Sequence, residues 1–153
     1  MSLPTHILVA TDFSDASRPA IEAAAAQAKA AGAKLSLVHV FDPTPMIPPA
    51  AIPAPRKMEE SVSRELQEQV EHELVQIRKS ALAEVDDVQT LALRHANAAF
   101  AICDYAEKND VNLIVVGTHG RTGLAHLLIG SVAERVVRHA KSPVLTVPSP
   151  AAR

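Results

Sequence analysis

The sequence predicts an α/β fold: a single, doubly wound domain with a five-stranded parallel sheet and helices on both faces. Three observations carry this reading. Short apolar runs rich in Val, Ile and Leu recur along the chain, each suited to a strand buried on both faces. Longer stretches between them repeat apolar residues every three or four positions, the spacing of an amphipathic helix. The two kinds alternate, which favours parallel strands joined by right-handed crossovers. With 153 residues, the chain is expected to form one domain over 1–153.

The first strand is read at Thr5-His6-Ile7-Leu8-Val9-Ala10, and the turn residues Thr11-Asp12-Phe13-Ser14-Asp15 end it. Ser14 is expected to cap an Ala-rich helix from Ala20 to Ala31, with Gly32 at its C-terminal stop. Lys34 to Val40 reads as the second strand. Six of the eleven prolines then fall between Pro43 and Pro55, so residues 42–56 are read as a proline-rich loop, either a connector or a lid. From Lys57 to Glu84 the stripe Met58, Val62, Leu66, Val70, Leu74, Ile77 and Ala81 predicts a helix about 40 Å long. Asp87 to Leu93 alternates like a half-exposed strand near a sheet edge. Asn97 can cap a helix from Ala98 to Lys108, expected to bury Phe100, Ile102 or Cys103, and Tyr105 or Ala106. A strand at Val111 to Val116, a helix ending near His139 and a strand at Pro143 to Val147 complete the pattern.

Composition narrows the possible functions. Aromatic residues make up 3% of the chain, leaving almost no platform for stacking single-stranded bases. A net charge of −2 likewise argues against a nucleic-acid or anionic-membrane partner. No apolar run approaches the roughly 20 residues that span a bilayer. The single Cys103 cannot form an internal disulfide, and the first residues lack the pattern of a signal peptide, so a cytoplasmic protein is expected. The seven histidines show no close ligand pair, and no metal site is expected. Neither a P-loop nor a Gly-x-Ser-x-Gly elbow is present in the sequence.

Glycine is scarce, yet four of the five lie between Gly117 and Gly130. Gly117, Gly120 and Gly130-Ser131 follow a buried strand and open a helix, an arrangement that can hold phosphate on backbone N–H groups. Gly117 and Gly120 are read as making room for a ligand. Gly130, Ser131 and Val132 are read as presenting N–H groups at the positive end of the helix dipole. His119 is read as a solvent-facing loop residue.

At this point Val9-Ala10-Thr11-Asp12-Phe13-Ser14, His39-Val40, Val115-Val116-Gly117-Thr118-His119-Gly120-Arg121, Gly130-Ser131-Val132-Ala133-Glu134 and Ser142-Pro143-Val144-Leu145-Thr146-Val147 closely resemble the universal stress protein family. The resemblance covers nearly the whole chain, and its glycine motif is similar to that of the ATP-binding branch. It implies a Rossmann-like, adenine-nucleotide-binding fold with the first and fourth strands adjacent. It further implies a site made of Ala10, Asp12, Val40, Gly117, Gly120, Gly130, Ser131 and Val132, with Asp12 near the ribose and the Val40 backbone at adenine. The ligand so implied is ATP, AMP or ADP, with or without Mg²⁺. One loop departs from the family pattern: Ala96-Asn97-Ala98 stands where Gly-x-Pro is common.

The expected function is a nucleotide-dependent stress-response binding or signalling module acting on a downstream protein. No residue stands out as a base for an attacking water, so at most slow ATP hydrolysis is expected. The alternative is an interaction protein of the same fold that uses no nucleotide. An apolar last strand at the sheet edge, together with the resemblance, predicts a homodimer through that strand.

Overall fold

The computed structural model describes residues 2–44, 56–119 and 129–150. The chain runs β1 (His6–Ala10), α1 (Arg18–Ala31), β2 (Lys34–Phe41), α2 (Arg56–Ser80), β3 (Val88–Arg94), α3 (Ala98–Lys108), β4 (Leu113–Gly117), α4 (Ser131–His139) and β5 (Val144–Val147). A short 3₁₀ turn, Asp15–Ser17, precedes α1. The five strands form one parallel sheet in the order β3-β2-β1-β4-β5. The third and last strands are therefore the edges, and the first and fourth lie side by side, as expected. Register is set in the centre by Val9 opposite Leu37 on one side and Val115 on the other.

Side-chain alternation along these strands divides the core into two layers. Ile7, Val9, Leu35, Leu37 and Val115 face α1 and α2, where they pack with Ala24, Ala28, Val70 and Leu74. Leu8, Val38, Ile114 and Val116 face α3 and α4 and pack with Ala99, Ile102, Ala106, Ala133 and Val136. Small side chains let α1 sit close to the sheet: Ala20, Ala24 and Ala28 are buried. Gly32 ends α1 at φ 64°, the left-handed conformation that only glycine adopts without steric cost.

Four local expectations change. Ser14 does not cap α1. It precedes the 3₁₀ turn, and its hydroxyl bonds Asp12 Oδ1 at 2.5 Å; the turn then delivers Ser17 to the start of α1. Phe100 is 57% exposed and stacks on His95, because Ala99, Ala101, Ile102 and Ala106 take the buried positions of α3. The long helix closes at Ser80 rather than Glu84, and Met58 and Val62 stay exposed, so the sheet covers only its later turns. Asn112 precedes β4 and joins it to β1 by accepting from the Thr5 and His6 N–H groups at 2.9 and 3.0 Å. Of the proline-rich loop 42–56, residues 45–55 lie outside the described residues.

His6 sits buried at the start of β1, its Nδ1 3.0 Å from the Asn109 carbonyl and its Nε2 2.8 Å from Ser36 Oγ. Burial pushes its pKa below the ordinary 6.5, opposed by the Asn109 hydrogen bond. The unfolded chain therefore takes up the His6 proton first as pH falls. Stability held above pH 6.5 should be lost progressively below it. Urea midpoints at pH 7.5 and 5.5 test this: the drop between them should be smaller in His6→Gln than in the wild type. Equal drops in the two proteins would remove His6 from the acid response.

Candidate functional site

Parallel strands leave their carboxyl ends along one rim, and the chain leaves β1 and β4 in opposite directions: to α1 on one face and to α4 on the other. A crevice opens at such a switch point. Here it is a cavity of about 320 Å³ lined by Ala10, Thr11, Asp12, Ser17, His39, Val40, Ala98, Ile102, Val116, Gly117, His119 and the 130–133 segment. The floor is apolar because Ala10, Val40 and Val116 lie on the α3/α4 side of the sheet. Polar groups come from the loop after β1 and the start of α4, with His39 on β2 and His119 after β4.

The β1 loop is tightly braced. Thr11 is buried, its N–H donates to the Val38 carbonyl at 2.9 Å, and its Oγ1 lies 2.9 Å from Ser17 Oγ. The same Oγ1 accepts the Phe13 N–H at 3.0 Å. Phe13 adopts φ 66°, a strained value for a residue carrying a Cβ, so its surroundings must hold it there. Between them Asp12 accepts both the N–H and the hydroxyl of Ser14 at Oδ1. The carboxylate is thus anchored to its own loop at the cavity wall.

On the opposite wall α4 begins at Ser131 with Gly130 as its N-cap (φ −53°, ψ 152°) and no side-chain cap. The Gly130 N–H donates to the Thr118 carbonyl at 2.5 Å, and the Thr118 N–H donates to Val147 at 3.0 Å. These bonds tie the helix start to the end of β4. The first N–H groups of a helix have no intrahelical acceptor, and α4 directs the positive end of its dipole at this wall. Its first-turn acid, Glu134, is paired with Arg138 at 2.7 Å.

Seven of the eight residues expected at the site, Ala10, Asp12, Val40, Gly117, Gly130, Ser131 and Val132, line this one cavity; Gly120 lies outside the described residues. One assigned task is corrected. Gly117 shares the face of Val115, so a Cβ there would point at the 3₁₀ turn and meet the Ala16 carbonyl at 3.6 Å, an ordinary contact. It does not clear space for a ligand in the way the spacing suggested. Thr11, Ser17, His39, Ala98, Ile102, Val116 and Ala133 were not assigned to the site from sequence, although His39 adjoins Val40 and Thr11 adjoins Asp12 in the quoted motifs. His119, expected to face solvent, lines the cavity with its Nδ1 3.0 Å from Thr118 Oγ1. Cys103 lies instead in the groove between α3 and α4, where burial pushes its thiol pKa up. Among the described residues no three His, Cys, Asp or Glu side chains gather as a metal-binding group, and no helix is long and apolar enough to cross a membrane.

Known proteins share both sequence and fold. Universal stress protein MJ0531 of Methanocaldococcus jannaschii is 37% identical over 149 residues, covering 97% of this chain and 85% of its own. Among solved structures, protein MJ0577 of the same organism superposes with a TM-score of 0.82 at 26% identity, covering 98% of this chain and 99% of its own. A universal stress protein in complex with cAMP gives a TM-score of 0.71 at 25% identity, with 97% and 100% covered. The sequence pattern described for the universal stress protein family matches residues 4–148. With its sheet order, its switch-point cavity and this match over nearly its whole length, the chain belongs to the universal stress protein family.

Proposed function

We propose that this protein binds ATP in the β1–β4 cavity and acts as a nucleotide-dependent binding module in a stress response. The observation that carries the proposal is the convergence of the anchored Asp12 carboxylate and the uncapped start of α4 on one apolar-floored cavity. In this reading Asp12 accepts from the ribose hydroxyls, and the adenine lies over Val40, meeting its backbone. The phosphates rest on the N–H groups of Ser131 and Val132, with the Ser131 hydroxyl as a further donor. The cavity falls within the size range of small-molecule sites. The cAMP complex of a related fold supports an adenine nucleotide as the ligand class.

With no side chain assigned as base for an attacking water, the proposed role is binding and conformational signalling, with hydrolysis at most slow. Calorimetric titration with ATP, AMP and ADP, each with and without Mg²⁺, tests the reading. Heat and a thermal shift with ATP are expected; neither at millimolar nucleotide would sink it. In the last case the interaction protein that uses no nucleotide becomes the better account.

We also propose a homodimer through β5. That strand pairs with β4 on one side, and Leu145 on it is 36% exposed. An apolar strand at the edge of the sheet calls for a cover, and a second copy supplies an identical edge.

A further inference from the structure

We infer that His39 is a positioning residue for the nucleotide site, acting through Asp12; the inference rests on the proposed nucleotide reading. His39 precedes Val40 on β2, and its Nδ1 lies 2.7 Å from the Thr11 carbonyl oxygen. A carbonyl oxygen can only accept, so Nδ1 carries the hydrogen and donates it. The same ring stacks on Phe13, with centroids 4.2 Å apart and planes 27° from parallel. His39 therefore grips the residues on both sides of Asp12: the carbonyl before it and the aromatic ring after it.

This grip explains how the loop holds a strained residue. Phe13 at φ 66° would relax if its ring lost its support, and relaxation would turn the peptide joining it to Asp12. The Ser14 bonds orient the Asp12 carboxylate relative to its own loop. The His39 contacts orient that loop relative to the sheet. Phenylalanine in place of histidine would keep the stack and lose the donor. Asparagine would do the reverse, because its Nδ2 stands at the same distance from Cβ as the imidazole Nδ1.

The test is a four-protein cycle read by ATP calorimetry: wild type, His39→Ala, Asp12→Ala and the double variant. His39→Ala should weaken ATP binding about tenfold, as expected for loss of a coupled contact. In the Asp12→Ala background the same change should add nothing, because the residue it positions is gone. His39→Asn should recover part of the loss. A full tenfold loss that persists without Asp12 would mean that His39 acts on the ligand directly, and no loss in any variant would mean it positions nothing; either overturns the inference while leaving the nucleotide reading intact. If the wild type binds no ATP, that reading fails, and amide hydrogen exchange in the free protein then decides the His39 role. Exchange at Asp12 and Phe13 should speed up in His39→Ala and be partly restored in His39→Asn; unchanged exchange in both variants would overturn the positioning role as well.

Discussion

Gly130→Val should lower the affinity for ATP by about 100-fold, close to 2.7 kcal/mol, while the fold survives. Gly130 lines the cavity and is the N-cap of α4, so a branched side chain there would compete with the phosphates of the proposed nucleotide for the helix start. Its backbone, at φ −53° and ψ 152°, lies in a region open to valine. The structural cost is that of a poor N-cap, about 1 kcal/mol, which a modest fall in Tm would record. Calorimetry on the variant and the wild type, with circular dichroism on both, separates the two effects. Unchanged affinity in a folded variant would move the phosphates away from α4. Loss of the fold would show that Gly130 is needed for structure before it is needed for binding.

Thr146→Pro should convert the proposed dimer to a monomer. The carbonyls of Pro143 and Val147 both accept from the β4 side, from Ile114 and Thr118 at 2.9 and 3.0 Å. By the alternation of a strand, Thr146 then points its N–H and C=O away from β4, toward the outer side of the sheet. Proline there removes a donor that a second copy would need, and it spares the β4 ladder. Light scattering at tens of micromolar should give twice the chain mass for the wild type and the chain mass for the variant. A monomeric wild type would rule out the dimer, and a dimeric Thr146→Pro would place the contact on another surface.

Much of this protein is legible in the order of its residues. Apolar runs such as Ile7-Leu8-Val9 and Ile114-Val115-Val116 have no polar face and are short and rich in β-branched residues, which suits strands covered on both sides. Their alternation with amphipathic stretches leaves few topologies, and right-handed crossovers leave fewer. Local stop signals behave locally: Asn97 caps α3 through Phe100 N–H at 3.0 Å, and Gly32 closes α1. The candidate site was legible through the family resemblance, which implied that β1 and β4 are neighbours, so that their carboxyl ends share a rim.

Only the tertiary structure decided what each residue faces. Phe100 has the hydrophobicity of a core residue but the wrong angle around α3, and Ala99 and Ile102 occupy the buried side. Ser14 has the chemistry of a helix cap, yet Asp12, two residues away, takes its N–H and its hydroxyl. Gly117 was read from its spacing to the other glycines, whereas strand parity turns it toward Ala16. The pairing of His39 with Thr11 and Phe13 links residues about thirty positions apart, a contact that depends on β1–β2 register and leaves no local trace. Sequence by itself determined the elements and their order, because these follow from local periodicity and chain connectivity, while the rim proposed for the site came from the family resemblance. The three-dimensional packing determined which side chains line the site and what holds Asp12 in place, because those depend on contacts between residues distant in sequence.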